Sequence, residues 1–112
     1  MIIAVACEGA SVTEHFGHCE SFMLFDTEGD TIKSAVSLPN PGHRPGFLPR
    51  FLKAQGAEVI LSGGMGGGAI DIFNELGVQV VTGASGEARQ AVESYLRGKL
   101  VSSGTVCHSH MH

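Results

Sequence analysis

The sequence predicts a single mixed α/β domain, a five-stranded sheet with about three helices packed on it. Three observations lead there. The chain opens on a continuous apolar, β-branched run, Ile2 to Ala6, the pattern of a strand buried on both faces. Two further strand-like runs, Phe22 to Asp26 and Thr31 to Leu38, flank Thr27-Glu28-Gly29-Asp30, a hairpin connection in which glycine supplies a positive φ. From Phe47 onward helical and extended patterns alternate, and each helix stops at a glycine. Strands joined by a helix run parallel while a hairpin runs antiparallel, so the sheet is mixed.

The elements follow in order. After the first strand, Cys7 to Cys19 breaks the apolar pattern with Gly9, Ser11, Thr13, Gly17 and two histidines, and reads as a functional loop. Pro39 and the stretch from Asn40 to Pro49 hold all 4 prolines and form a loop into the first helix. Phe47, Leu48, Phe51 and Leu52 share one helical face, Pro49 is tolerated in the first turn, and Gly56 ends the helix. Glu58 to Leu61 is a strand, followed by Ser62 and the dense glycine loop Gly63 to Gly68. Ala69, Ile72, Phe73 and Leu76 recur at helical spacing up to Gly77. Val78 to Thr82 is the last strand. Ser85 is placed to cap the third helix, with Glu87 in its first turn and Ala88, Val92, Tyr95 and Leu96 as its buried stripe. Residues 1–100 therefore read as one domain, and residues 101–112 as a Cys/His-rich tail.

Composition narrows the function. A chain of 112 residues, 43% apolar and 16% charged, has room for one real core and is not of disordered type. A net charge of −4 argues against non-specific nucleic-acid binding, which needs a basic face. No apolar run approaches the ~20 residues of a membrane span. The N-terminus lacks the basic flank of a signal peptide, and the expected compartment is the cytoplasm. Cys7, Cys19 and Cys107 are odd in number, so they are expected as thiols, available as ligands.

Three constellations could carry chemistry. His15-Phe16-Gly17-His18-Cys19 gathers imidazole and thiolate donors of the kind that suit zinc, copper, iron and metal–sulfur clusters. The other reading of the same residues is that the histidines cap backbone groups and Cys19 is a small buried apolar side chain. The tail Cys107-His108-Ser109-His110-Met111-His112 is a chelating peptide at a chain end, either a capture arm or an accidental metal binder. Gly63, Gly64, Met65, Gly66, Gly67 and Gly68 lie between a strand end and a helix start, where backbone N–H groups and the helix dipole can face an anion. The run matches neither the Walker pattern nor GxGxxG, and close helix–sheet packing is its other reading. If the strands ending at Ala6 and Leu61 are parallel neighbours, Cys7, His15, His18, Cys19 and Met65 face one pocket beyond their carboxyl ends.

Together, Ile-Ile-Ala-Val-Ala at the start, His-Phe-Gly-His-Cys, Phe-Met-Leu-Phe, Ser-Gly-Gly-Met-Gly-Gly-Gly-Ala and Leu-Gly-Val-Gln-Val-Val-Thr-Gly resemble the dinitrogenase iron–molybdenum cofactor-binding family over roughly residues 1–100. The resemblance implies a ribonuclease-H-like fold. It also implies binding, storage or delivery of a metal–sulfur cluster, of the iron–molybdenum type or the molybdenum–copper type carried by the orange proteins. The positions matching the family are His15, Phe16 and Gly17 and the loop Gly63 to Gly68. A carrier needs a cluster-donating or cluster-accepting protein, and pairing of two chains is left open. No enzymatic role is expected: nuclease chemistry needs clustered carboxylates, and no third residue orients a Cys–His pair. The metal candidates are Cys7, His15, His18, Cys19, Cys107, His108 and His110. The alternative is a mononuclear zinc or copper chaperone or sensor working through the tail.

Overall fold

A computed structural model describes residues 1–42, 44 and 46–100. The apolar opening run becomes β1 (Ile2–Glu8), whose five middle residues are buried. It forms the centre of the sheet because both its faces are apolar and helices cover both. β3 (Ser21–Glu28) pairs with it antiparallel and carries the hairpin partner β4 (Thr31–Pro39), the two joined through Gly29 at φ 61°. On the other side β5 (Ala57–Leu61) and then β6 (Gln79–Val81) pair parallel, giving the order β4-β3-β1-β5-β6.

The alternation along β1 assigns the two faces. Ile3, Val5 and Cys7, with Phe25, Val59, Leu61 and Val81, pack under Ala88, Ala91 and Val92 of α3 (Ala88–Leu96). Ala4 and Ala6, with Phe22 and Ile60, pack under α1 (Phe47–Ala54) and α2 (Gly67–Glu75), which contribute Leu48, Leu52 and Phe73. Among the described residues the result is a mixed α/β fold of three α-helices on a sheet of six strands.

The sixth strand departs from the expected five. It is the two-residue β2 (Ser11–Val12), which folds back antiparallel on the end of β1 through Cys7↔Val12 and Glu8↔Ser11. The first loop is therefore shorter than Cys7 to Cys19, and Cys7 belongs to β1. Two helix starts also differ. α2 begins at Gly67, so two residues of the glycine run form its first turn. α3 is not capped by Ser85: its N-cap is Glu87, with no side-chain cap, and no acidic residue stands in the first turn. The cause lies in β2. Ala88 N–H donates to Ala10 O at 2.8 Å and Val12 N–H to Gly86 O at 2.8 Å, so backbone supplies the acceptor a cap would give.

No helix of the described residues is long and apolar enough to cross a membrane.

Candidate functional site

β1 and β5 are parallel neighbours, with Val5 opposite Leu61, so the loops that follow them leave the same end of the sheet. They are laced together by backbone. Gly63 N–H donates to Thr13 O at 2.8 Å, Phe16 N–H to Gly64 O at 3.2 Å, and Gly83 N–H to Gly63 O at 2.8 Å. Glycine at 63 is a steric requirement: a Cβ there would stand 2.8 Å from Thr13 O and 2.9 Å from Glu14 Cα.

The first loop is pinned by its aromatic residue. Phe16 is buried against Phe22 and Phe73 at ring-centroid distances of 5.6 and 5.5 Å, the latter edge-on. It opens a single 3₁₀ turn, Phe16–His18, closed by His18 N–H to His15 O at 3.2 Å. With Phe16 turned inward, His15 and His18 are exposed on either side of it. The His15 side chain does not cap the turn.

Cys19 turns inward with Phe16. Its carbonyl accepts Asn40 Nδ2 at 2.9 Å, and the same amide lies 3.7 Å from its Sγ. Cys7 and Cys19 are 0% and 4% exposed, Cys7 under α3 and Cys19 in the layer under α1 and α2. Burial pushes the Cys7 thiol up to about 11, against a smaller opposing effect of the Met23 backbone. Burial does the same to Cys19, also to about 11, and the Cys7 charge adds to it. The backbone of Cys7 and Cys19 and the Asn40 amide oppose the rise. At neutral pH both are protonated thiols, so neither is an activated nucleophile.

The glycine loop divides into a packed part and a bare part. Met65 is fully buried among Phe16, Cys19 and Phe73, so its sulfur belongs to the core. Gly66 is the N-cap of α2 at φ −66°, and its carbonyl receives the first helical bond, from Ile70 at 3.1 Å. The N–H groups of Gly67, Gly68 and Ala69 then have no acceptor within the helix. Among the described residues no side-chain cap hydrogen bond is made at this end, and no acidic residue stands in its first turn. At Gly66 and Gly68 a Cβ would meet nothing within 4 Å, and neither has a positive φ. Neither steric space nor backbone conformation demands glycine at these two positions. Its effect is to leave open space beside these two positions of the helix start.

The structure thus joins His15 and His18 with the Gly63 to Gly68 loop at one end of the sheet, while Cys7, Cys19 and Met65 face inward. Among the described residues no three His, Cys, Asp or Glu side chains are grouped so as to hold a metal ion. Cys107, His108 and His110 lie outside the described residues. Sequence reasoning missed Thr13 and Asn40. Thr13 is buried and accepts the Gly63 bond, and Asn40 reaches Cys19 across the closed hairpin. Nothing local in the sequence marks either contact.

A family model described as dinitrogenase iron-molybdenum cofactor matches residues 1–98. The chain belongs to this family. Solved structures of similar proteins share the architecture. The crystal structure of the protein PH0822 superposes with a TM-score of 0.86 at 34% identity, over 93% of this chain and 96% of that one. The apo form of the orange protein from Desulfovibrio gigas gives a TM-score of 0.79 at 27% identity, over 93% of each chain. An uncharacterized protein of Methanocaldococcus jannaschii is 29% identical over 105 residues, 89% of either chain.

Proposed function

We propose that this chain binds, stores or delivers a preassembled metal–sulfur cluster of the iron–molybdenum or molybdenum–copper type, as cargo rather than as a resident group. The observation that carries the reading is the start of α2, where glycine leaves open space at positions 66 and 68. A sulfide-rich cluster is an anion with outward-facing sulfurs. N–H groups without an acceptor inside the helix, at its positive end, suit it, whereas a tight protein cage would not. His15 and His18, on the loop tied to Gly63 and Gly64, add imidazoles that suit iron or copper at the cluster edge.

Cys7 and Cys19 are candidate ligands only if the loop opens and a metal displaces their protons, which burial makes costly. A carrier of this kind catalyses nothing itself. It works with a donor or acceptor protein that makes or uses the cluster. The apo form of the orange protein shows that a relative holds this architecture without its bound group. We carry the ribonuclease-H-like fold name as part of the same proposal, on the mixed sheet with helices on both faces.

The test is metal and acid-labile sulfide analysis, with a visible spectrum, on protein purified anoxically from cells supplied with iron, molybdate and copper. Near-stoichiometric metal with sulfide and charge-transfer bands supports a cluster carrier. Filling the helix start with Gly66→Ala and Gly68→Ala together should cut loading severalfold while the fold persists. Zinc alone, or no metal after attempted reconstitution, would overturn the reading.

A further inference from the structure

The run Cys107-His108-Ser109-His110-Met111-His112 has no part in holding cargo at the start of α2. What it can reach depends on where the chain passes beyond Leu100. α3 ends in a Schellman turn: Gly98, at φ 74°, donates its N–H to Tyr95 O at 3.0 Å, and Lys99 N–H donates to Ser94 O at 2.8 Å. The turn reverses the chain. Leu100 therefore lies back along α3, half-buried against the layer under that helix, and lines a surface cavity with Gly83, Ser85, Gln90, Ala91 and Ser94.

Gly83 and Ser85 follow β6, whose Val81 pairs with Leu61 of β5, so they lie at the glycine-loop end of the sheet. Two backbone bonds lead from there to the first loop. Gly83 N–H donates to Gly63 O and Gly63 N–H to Thr13 O, each at 2.8 Å. His15 stands two residues beyond Thr13 and is exposed, as is His18. The bond from His18 N–H to His15 O closes a turn, which keeps their Cα atoms within about 7 Å.

We infer that the tail crosses this end of the sheet, where Cys107 joins His15 and His18 around one copper(I) ion, with Met111 as a further donor. Cys107 follows Leu100 by seven residues, a span of at most about 25 Å. Among the described residues the two imidazoles belong to no group of three metal-binding side chains. The tail supplies the thiolate that such a group lacks. A thiolate beside a thioether selects copper(I), whereas zinc sites are built from thiolate, imidazole and carboxylate. Cys107 binds as the thiolate and releases its proton to solvent. The ion needs no sulfide, so the site is separate from cluster cargo.

The test is an anoxic titration of copper(I) into the full chain against a chromophoric copper(I) chelator. One ion per monomer is expected, with a thiolate-to-copper band in the ultraviolet. Cys107→Ser and a His15→Ala/His18→Ala variant should each weaken binding at least tenfold with unchanged far-UV circular dichroism. Combined, they should lose less than the product of the two losses, because each alone breaks the same chelate. The His15 and His18 ring-proton signals should shift on binding in the parent. Unchanged affinity in the histidine variant would mean that the tail chelates by itself, and unchanged affinity in Cys107→Ser would leave the ion to the histidines. Either result overturns the inference. A copper-bridged dimer in sedimentation overturns it too, since the tail would then reach a second copy. No sulfide is present in this assay, so failure here is distinct from failure of cluster loading.

Discussion

Gly63 donates its N–H to Thr13 O across 2.8 Å, and a methyl built on Gly63 would stand the same 2.8 Å from that oxygen. One contact thus ties the first loop to the end of β5 and forbids a side chain there. Neither partner has room to retreat. Thr13 N–H is held by Ala6 O at 2.8 Å, and Gly63 O accepts from Gly83 at 2.8 Å.

Gly63→Ala is therefore expected to destabilise the fold by about 1–3 kcal/mol, the range of an overpacked core position. Urea unfolding measures it. A cost within error of zero would mean that the two loops are not in register as described.

Gly68→Ala should act in the opposite direction. Its Cβ meets open space in the first turn of α2. Removing glycine's unfolded-state freedom is worth about 0.5–1 kcal/mol of added stability. If the bare helix start serves cargo, this stabilised variant should load less cluster than its parent, which sulfide and metal analysis reads directly. Gain in both stability and loading would argue that the space at Gly68 has no functional use.

These two glycines also mark what the sequence makes legible. Helix and strand periodicities are local, so β1, the hairpin, the three helices and the glycine loop could all be read from neighbouring residues. Cys7 was legible in principle, since it extends the inward alternation of Ile3 and Val5, but the glycine at position 9 drew it into the loop. β2 could not be read, because two residues carry no period and its partner is the end of β1. The same holds for the start of α3, where Ala10 O takes the place of a Ser85 cap only once β2 has folded back. Glycine density shows where a loop must be bare or tight. Which glycine does which depends on the loop that comes to lie beside it.

Asn40 is the second long-range contact that only the fold reveals. Its Nδ2 donates to Cys19 O at 2.9 Å and its Oδ1 accepts Gly42 N–H at 2.9 Å. Asn40→Ala should cost about 1–2 kcal/mol, because it strands a part-buried carbonyl. It should also speed alkylation of Cys19 as the end of the first loop loosens. Unchanged reactivity with lowered stability would place the effect of Asn40 in the turn alone.

The thiols themselves give a pH test. Both Cys7 and Cys19 are pushed by burial from 9.0 to about 11. Between these values the unfolded chain has released the protons that the folded chain still holds, so the folded state binds more protons and its stability falls as pH rises. Below about pH 8 the thiols contribute no slope, and above it each can withdraw roughly 2 kcal/mol by pH 11. Tyrosine and lysine titrate in the same range, so the reading needs a Cys7→Ala/Cys19→Ala variant as reference. Urea midpoints of parent and variant from about pH 8 to about pH 10.5 should converge or cross, with the parent losing roughly 2–4 kcal/mol more than the variant. Parallel curves would mean that the thiols ionise without penalty. They would then be open to solvent, and direct thiolate ligation of a cluster would replace the helix start as the main source of affinity.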